Sequence, residues 1–202
     1  MKRLFLAVAA LAAVAGCATN SITGRSQLML VSEDTAIRSS YGAYAQMMGG
    51  LSKKKQVEAD TDRVKRVREI TDRLIAQAVR FRPDSASWNW EVQVINDPKT
   101  VNAFCMAGGK MAIYTGLIQQ LQATDDELAQ VMGHEISHAL AKHTAERMSR
   151  ALAMQAGLGA LAMTQQDSKY AGLTLTGAQA FGLGKDRIAD LVLEARIGVD
   201  DV

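Results

Sequence analysis

The chain has 202 residues, 48% hydrophobic and 22% charged, a composition that excludes disordered, collagen-like and fibrous classes. Its 23 basic and 21 acidic side chains give a formal charge of +2, too balanced for a nucleic-acid footprint. With 5% aromatics, 2 Pro and 10 Met, the sequence favours helices packed with Ala, Leu and Met over an all-β sandwich.

Met1-Lys2-Arg3 followed by an apolar run of 12 residues, Leu4 to Ala15, has the layout of a secretory signal peptide. The run is too short to span a bilayer, which takes roughly 20 residues. Val14-Ala15-Gly16-Cys17 resembles the lipobox of bacterial lipoproteins. The segment 1–16 is therefore expected to be removed and Cys17 to be acylated as the new N-terminus, tethering the protein to a membrane without crossing it. An ordinary signal with Ala13-Val14-Ala15 as cleavage site is the alternative. Ala18 after the Cys points, by resemblance to lipoprotein sorting, to the outer membrane facing the periplasm. Without Lys2 and Arg3 the basic side chains fall to 21 and balance the 21 acidic ones, so membrane attachment would come from lipid and not from charge. Cys105 is the other cysteine, and with Cys17 acylated it has no disulfide partner.

Residues 17–31, rich in Ser, Thr, Asn and Gly, read as a linker. Helix is expected from Ser32 or Asp34, interrupted at Gly49-Gly50 and resumed from about Gln56 to Phe81, where Val57, Val64, Val67, Ile70, Leu74, Ile75 and Ala78 recur at three- and four-residue steps. Pro83 breaks it, and Trp88 to Val94 alternates apolar and polar as a half-buried strand does. Asn96-Asp97-Pro98 and Gly108-Gly109 separate two further strands, Val101 to Met106 and Lys110 to Tyr114. Helical patterning returns from Thr115 to about Ala153. The uncharged stretch Ala151 to Gln166 reads as a buried or loosely packed helix pair in preference to a membrane-dipping one. The fold class is α+β: a mainly helical domain over 32–202 with a small, largely antiparallel sheet.

The chemistry concentrates in His134-Glu135-Ile136-Ser137-His138, an H-e-x-x-h pattern in which the Glu follows the first His. Positions four apart on a helix differ by about 40°, so both imidazoles leave one face and can share a metal. Glu135 lies about 100° round from His134, beside the metal, where its carboxylate can act as general base on a metal-bound water. Thr124-Asp125-Asp126-Glu127 is a capping box that starts the helix. The chain has 3 His, so chance is a poor account of two at this spacing. Imidazole and carboxylate donors with an open position suit one zinc ion and hydrolysis. His143, on a continuing helix, would stand about 140° away from His138, and Ala141 and Thr144 exclude the metzincin pattern.

Asn102-Ala103-Phe104, Gly108-Gly109, Tyr114 to Ile118, Asp126 to Ala129 and Gly133 to His138 resemble, in order and spacing, the peptidase family that groups the CaaX prenyl protease with the heat-shock protease HtpX. With the lipobox, the resemblance is to its periplasmic lipoprotein branch. It implies a zinc-dependent endopeptidase acting on damaged or misassembled envelope proteins, with Asn102, Ala103 and Phe104 binding an extended substrate at a sheet edge. It implies polypeptide substrates and a setting in contact with outer-membrane assembly machinery. It also implies a third, carboxylate zinc ligand from a later helix. Glu194 is preferred and Asp186 is the alternative, since each keeps only part of the family's pattern, and the family's chain normally continues past Val202. That departure leaves a second expectation, a catalytically impaired chaperone or binding lipoprotein with a vestigial zinc site.

Overall fold

The two periodicities of the sequence segregate in space, and the α+β class holds. The structure, a computed structural model, describes residues 17–59 and 61–164, with backbone alone from 156. In chain order the elements are β1 (Cys17–Thr19), β2 (Ser26–Leu28), α1 (Glu33–Lys53), α2 (Asp62–Phe81), β3 (Glu91–Ile95), β4 (Ala103–Met106), β5 (Lys110–Tyr114), α3 (Thr115–Gln120), α4 (Asp125–Leu140) and α5 (His143–Thr164), with a 3-10 turn at Pro83–Ser87. The chain divides into two units: one spans 33–144, and the other joins 17–32 to the stretch from 145.

In the larger unit β5 is central, parallel to β3 and antiparallel to β4, and β1 pairs antiparallel with β2 in the other unit. Met111, Ala112 and Ile113 are completely buried, which is why the β5 run lacks polar alternation. Gly108 and Gly109, with φ of 81° and 82°, turn β4 into β5, and a Cβ on Gly109 would strike the Trp90 ring. The turn at Asn96–Pro98 makes no hairpin. The Asp97 carbonyl accepts from Thr100 N (3.3 Å) and Gly116 N (3.1 Å), so the loop packs on the start of α3 and delivers β4 to the far side of β5. Gly116 is required there, because a Cβ would enter the Thr100 carbonyl.

Helix boundaries differ from expectation in three places. α1 runs through Gly49-Gly50, where nothing crowds either residue, so the glycines lower propensity by about 1 kcal/mol each without ending the helix. α2 starts at Asp62, not near Gln56. Val57 bridges Ile95 and Glu58 N donates to Val94 O at 2.9 Å, so this stretch is drawn to the sheet, and Thr61 then caps the helix by accepting from Val64 N at 3.2 Å. The helical stretch after Thr115 is three helices, broken where Gln122 and Lys142 take left-handed φ values of 48° and 59°.

α2 packs Val64, Val67, Ile70, Thr71 and Ala78 inward. Its end is tied down by Arg82, only 8% exposed. That guanidinium donates to both Glu33 oxygens (2.7 and 2.8 Å), to Asp84 (2.7 Å) and to the Leu140 carbonyl at the end of α4 (2.9 Å), under the Trp88 ring. Lys142 Nζ reaches the same Glu33 at 2.9 Å.

In the smaller unit residues 17–31 are not a free linker. Asn20 Oδ1 accepts from Ile22 N and Thr23 N (2.8 and 3.0 Å), and Gly24 turns with φ 65°, so the small polar residues build a hairpin turn. The hairpin docks on α5: Arg25 pairs with the buried Glu146, Gln27 Nε2 donates to it at 2.9 Å, and Val31 N donates to Ser149 Oγ at 2.9 Å. The part of the uncharged stretch that is described continues α5 to Thr164, and among the described residues no helix is long and apolar enough to cross a membrane.

Burial opposes the Glu33 charge, but the Arg82 and Lys142 hydrogen bonds prevail and hold its carboxyl below the ordinary 4.5. A carboxyl lowered on folding stabilises the protein above its unfolded value, and that stability drains away as pH falls through the folded one. Thermal unfolding midpoints should thus decline below about pH 4.5. Glu33→Gln should lower stability at neutral pH by about 1–3 kcal/mol and flatten that acid decline.

Candidate functional site

The site is carried by α4. Thr124 Oγ1 accepts from Glu127 N (3.3 Å), while the Glu127 carboxylate accepts from Thr124 N (2.8 Å), so the capping box is complete. Asp125, Asp126 and Glu127 place negative charge in the first turn, where the helix dipole favours it. Arg66 of α2 secures this end, donating to Asp125 (2.5 Å) and to the Ala123 carbonyl (2.7 Å). Leu128, Val131, Met132, Ile136, Ala139 and Leu140 are buried, which fixes the rotation of the helix about its axis.

With that rotation fixed, His134 and His138 meet edge to face, ring centres 4.4 Å apart at 75°. Glu135 is 8% exposed, turned inward beside them. The helix packs against β4, whose Cys105 lies near enough to Glu135 to feel its charge. Burial first, and Glu135 second, push the Cys105 thiol far above its ordinary value, so it is a buried neutral group and not a nucleophile. Ala103 is buried, while Asn102 and Phe104 are half-buried. β4 is the edge of its sheet, and Tyr114 N donates to Asn102 O at 3.0 Å. The alternation of antiparallel pairing then aims the Ala103 and Cys105 backbone groups at the outer edge.

His143 is where helical arithmetic goes astray. α4 ends at Leu140 and Lys142 is left-handed, so the chain turns back, and the Nδ1 atoms of His138 and His143 lie 2.8 Å apart. Nothing in the residue pattern signals the break, since Lys is an ordinary helix former. The Arg82 and Glu33 cluster beneath it is equally silent in the sequence.

The donor chemistry fits zinc as far as it goes: two imidazoles on one face with a carboxylate beside them. Among the described residues no cluster of three or more His, Cys, Asp and Glu stands ready for a metal. Glu194 and Asp186 lie outside the described residues, and Cys17 is exposed at the start of β1. A groove of about 580 Å³ between α2 and α4, lined by Leu74, Phe81, Gly133, Ile136 and Leu140 among others, holds none of the three motif residues.

Residues 61–189, more than half of the chain, match peptidase family M48. The chain belongs to that family. It is 47% identical over 64 residues (32% of this chain) to the mitochondrial metalloendopeptidase OMA1 of Arabidopsis thaliana. It is 32% identical over 127 residues (62% of this chain) to the human metalloendopeptidase OMA1, and 35% identical over 82 residues (41% of this chain) to the metalloprotease LoiP of Escherichia coli. The matched stretches cover 13%, 23% and 31% of those relatives' own lengths.

The α4 start should be separable from the site. Thr124→Ala should cost about 1 kcal/mol in denaturant unfolding with an unchanged slope, because it removes one cap and leaves the buried face intact.

Proposed function

We propose that this chain is a zinc-dependent endopeptidase of a bacterial cell envelope, held at the membrane by lipid on Cys17 and acting on damaged or misassembled envelope proteins. What carries the reading is the meeting of His134 and His138 with Glu135 buried beside them, on a helix that packs against β4. Membership of a peptidase family and likeness to named metalloendopeptidases support it. The lipobox-like Val14-Ala15-Gly16-Cys17 supports the tether.

His134 and His138 would hold the metal, with Glu194, or alternatively Asp186, as third ligand. Bound zinc supplies a Lewis acid for the scissile carbonyl and makes water acidic near neutral pH. The chain's own groups do the rest. An extended substrate would lie along β4 at Asn102, Ala103 and Phe104, held by main-chain hydrogen bonds that tolerate many sequences. Half-buried Asn102 and Phe104 border the bound strand. Glu135 Oε takes the proton of the attacking water and later delivers it to the leaving amine. Its burial keeps competing solvent away from that proton.

The imperfect third-ligand pattern favours one competing reading, a binding or chaperone lipoprotein with a vestigial metal site. One experiment separates them. Purified chain should contain close to one zinc per molecule and cleave an unfolded protein such as casein. Glu135→Gln should retain the zinc and lose at least about 100-fold in rate, the span usual for a general base. Cleavage unchanged in Glu135→Gln overturns the mechanism, and weakly held zinc without hydrolysis favours the binding module.

A further inference from the structure

Two imidazole nitrogens 2.8 Å apart must share a proton, since one has to donate and the other accept. In a neutral ring the nitrogen that binds a metal carries no hydrogen, so the other nitrogen does. At His138 the Nδ1 atom is occupied by His143, which leaves Nε2 for a metal. That requires His138 Nδ1–H to donate and His143 Nδ1 to accept. The opposite assignment would place a hydrogen on His138 Nε2 and block it.

We propose that His143 is a positioning residue: it accepts from His138 Nδ1–H, fixing both the tautomer and the orientation in which His138 presents Nε2. This is the part that a carboxylate or main-chain carbonyl commonly plays behind a metal-binding histidine. His143 faces the back of the His138 ring and so is not itself a ligand. The proposal rests on the metal-site reading above.

A second observation points the same way. The turn that delivers His143 is built, not incidental. Lys142 holds φ 59° although it is not glycine. Ala141 N donates to Ser137 O (2.9 Å) and Lys142 N to Ala139 O (3.1 Å). Arg82 holds the Leu140 carbonyl, and Lys142 Nζ is fastened to Glu33. A continuing helix would have been simpler to encode and would have carried His143 away from His138.

The test compares His143→Phe, which keeps a ring and removes its nitrogens, with His143→Asn, whose amide oxygen can accept near the place of Nδ1. Zinc affinity of the metal-free full chain is measured by competition with a coloured chelator, and cobalt-substituted protein is examined by visible absorption. His143→Phe should weaken zinc by about 10–100-fold, the span usual for losing such a partner, and should alter the cobalt bands. His143→Asn should recover most of both. Thermal unfolding of the metal-free proteins checks that the variants fold, and His143→Ala replaces the Phe variant in the comparison if that one does not. Wild-type affinity in His143→Phe, or equal losses in Phe and Asn, overturns the proposal while leaving the metal site standing. A wild-type chain that takes up no zinc overturns the underlying reading and this proposal with it.

Discussion

A single buried guanidinium organises the larger unit. Arg82 meets the start of α1 through Glu33, the 3-10 turn through Asp84 and the end of α4 through the Leu140 carbonyl. Burying a cation is unfavourable unless charge and hydrogen bonds surround it, and here they do. Burial works against its charge, yet the Glu33 and Asp84 hydrogen bonds hold its pKa above the ordinary value. The arrangement has a structural corollary. The last carbonyls of a helix need partners, and α4 finds one in Arg82 instead of continuing as helix. The return of His143 follows the end of α4 at Leu140, where Arg82 and the Lys142–Glu33 pair both hold the chain.

The other end of α4 is fixed by different means. The Thr124–Glu127 box and Arg66 hold its first turn, and an apolar stripe sets its rotation between α2 and β4. A histidine pair gains chemical meaning only when its rings are held, because immobilising two loose imidazoles would consume the binding energy a metal could supply. The restraints act at both ends and along the buried face, so the pair is presented ready-formed.

The sequence was informative where a feature is local and periodic. The capping box, the His134 and His138 spacing, the Gly108-Gly109 turn and the apolar face of α2 each rest on residues within a turn or two of one another, and each stands as expected. Long-range contacts were not legible. The parallel pairing of β3 with β5 depends on how the Asp97 loop packs on α3. The late start of α2 depends on Val57 reaching Ile95. The hairpin at 17–31 depends on Glu146, more than a hundred positions away. His143 combines both difficulties, since its place is set by a left-handed lysine whose conformation is stabilised by Glu33 from another helix. The third-ligand candidates Glu194 and Asp186 fall outside the described residues, so that expectation stands as sequence left it.

Among the described residues β4 is the end strand of its sheet, and its length has a consequence of its own. An unpaired strand edge accepts any extended chain, including a neighbouring copy, and is the usual starting point for aggregation. Here the edge spans only Ala103–Met106 before the Gly108-Gly109 turn removes the chain. Four residues offer so few main-chain hydrogen bonds that a stray strand gains little by docking. The shortness of the strand thus limits what its edge could offer to a neighbouring copy.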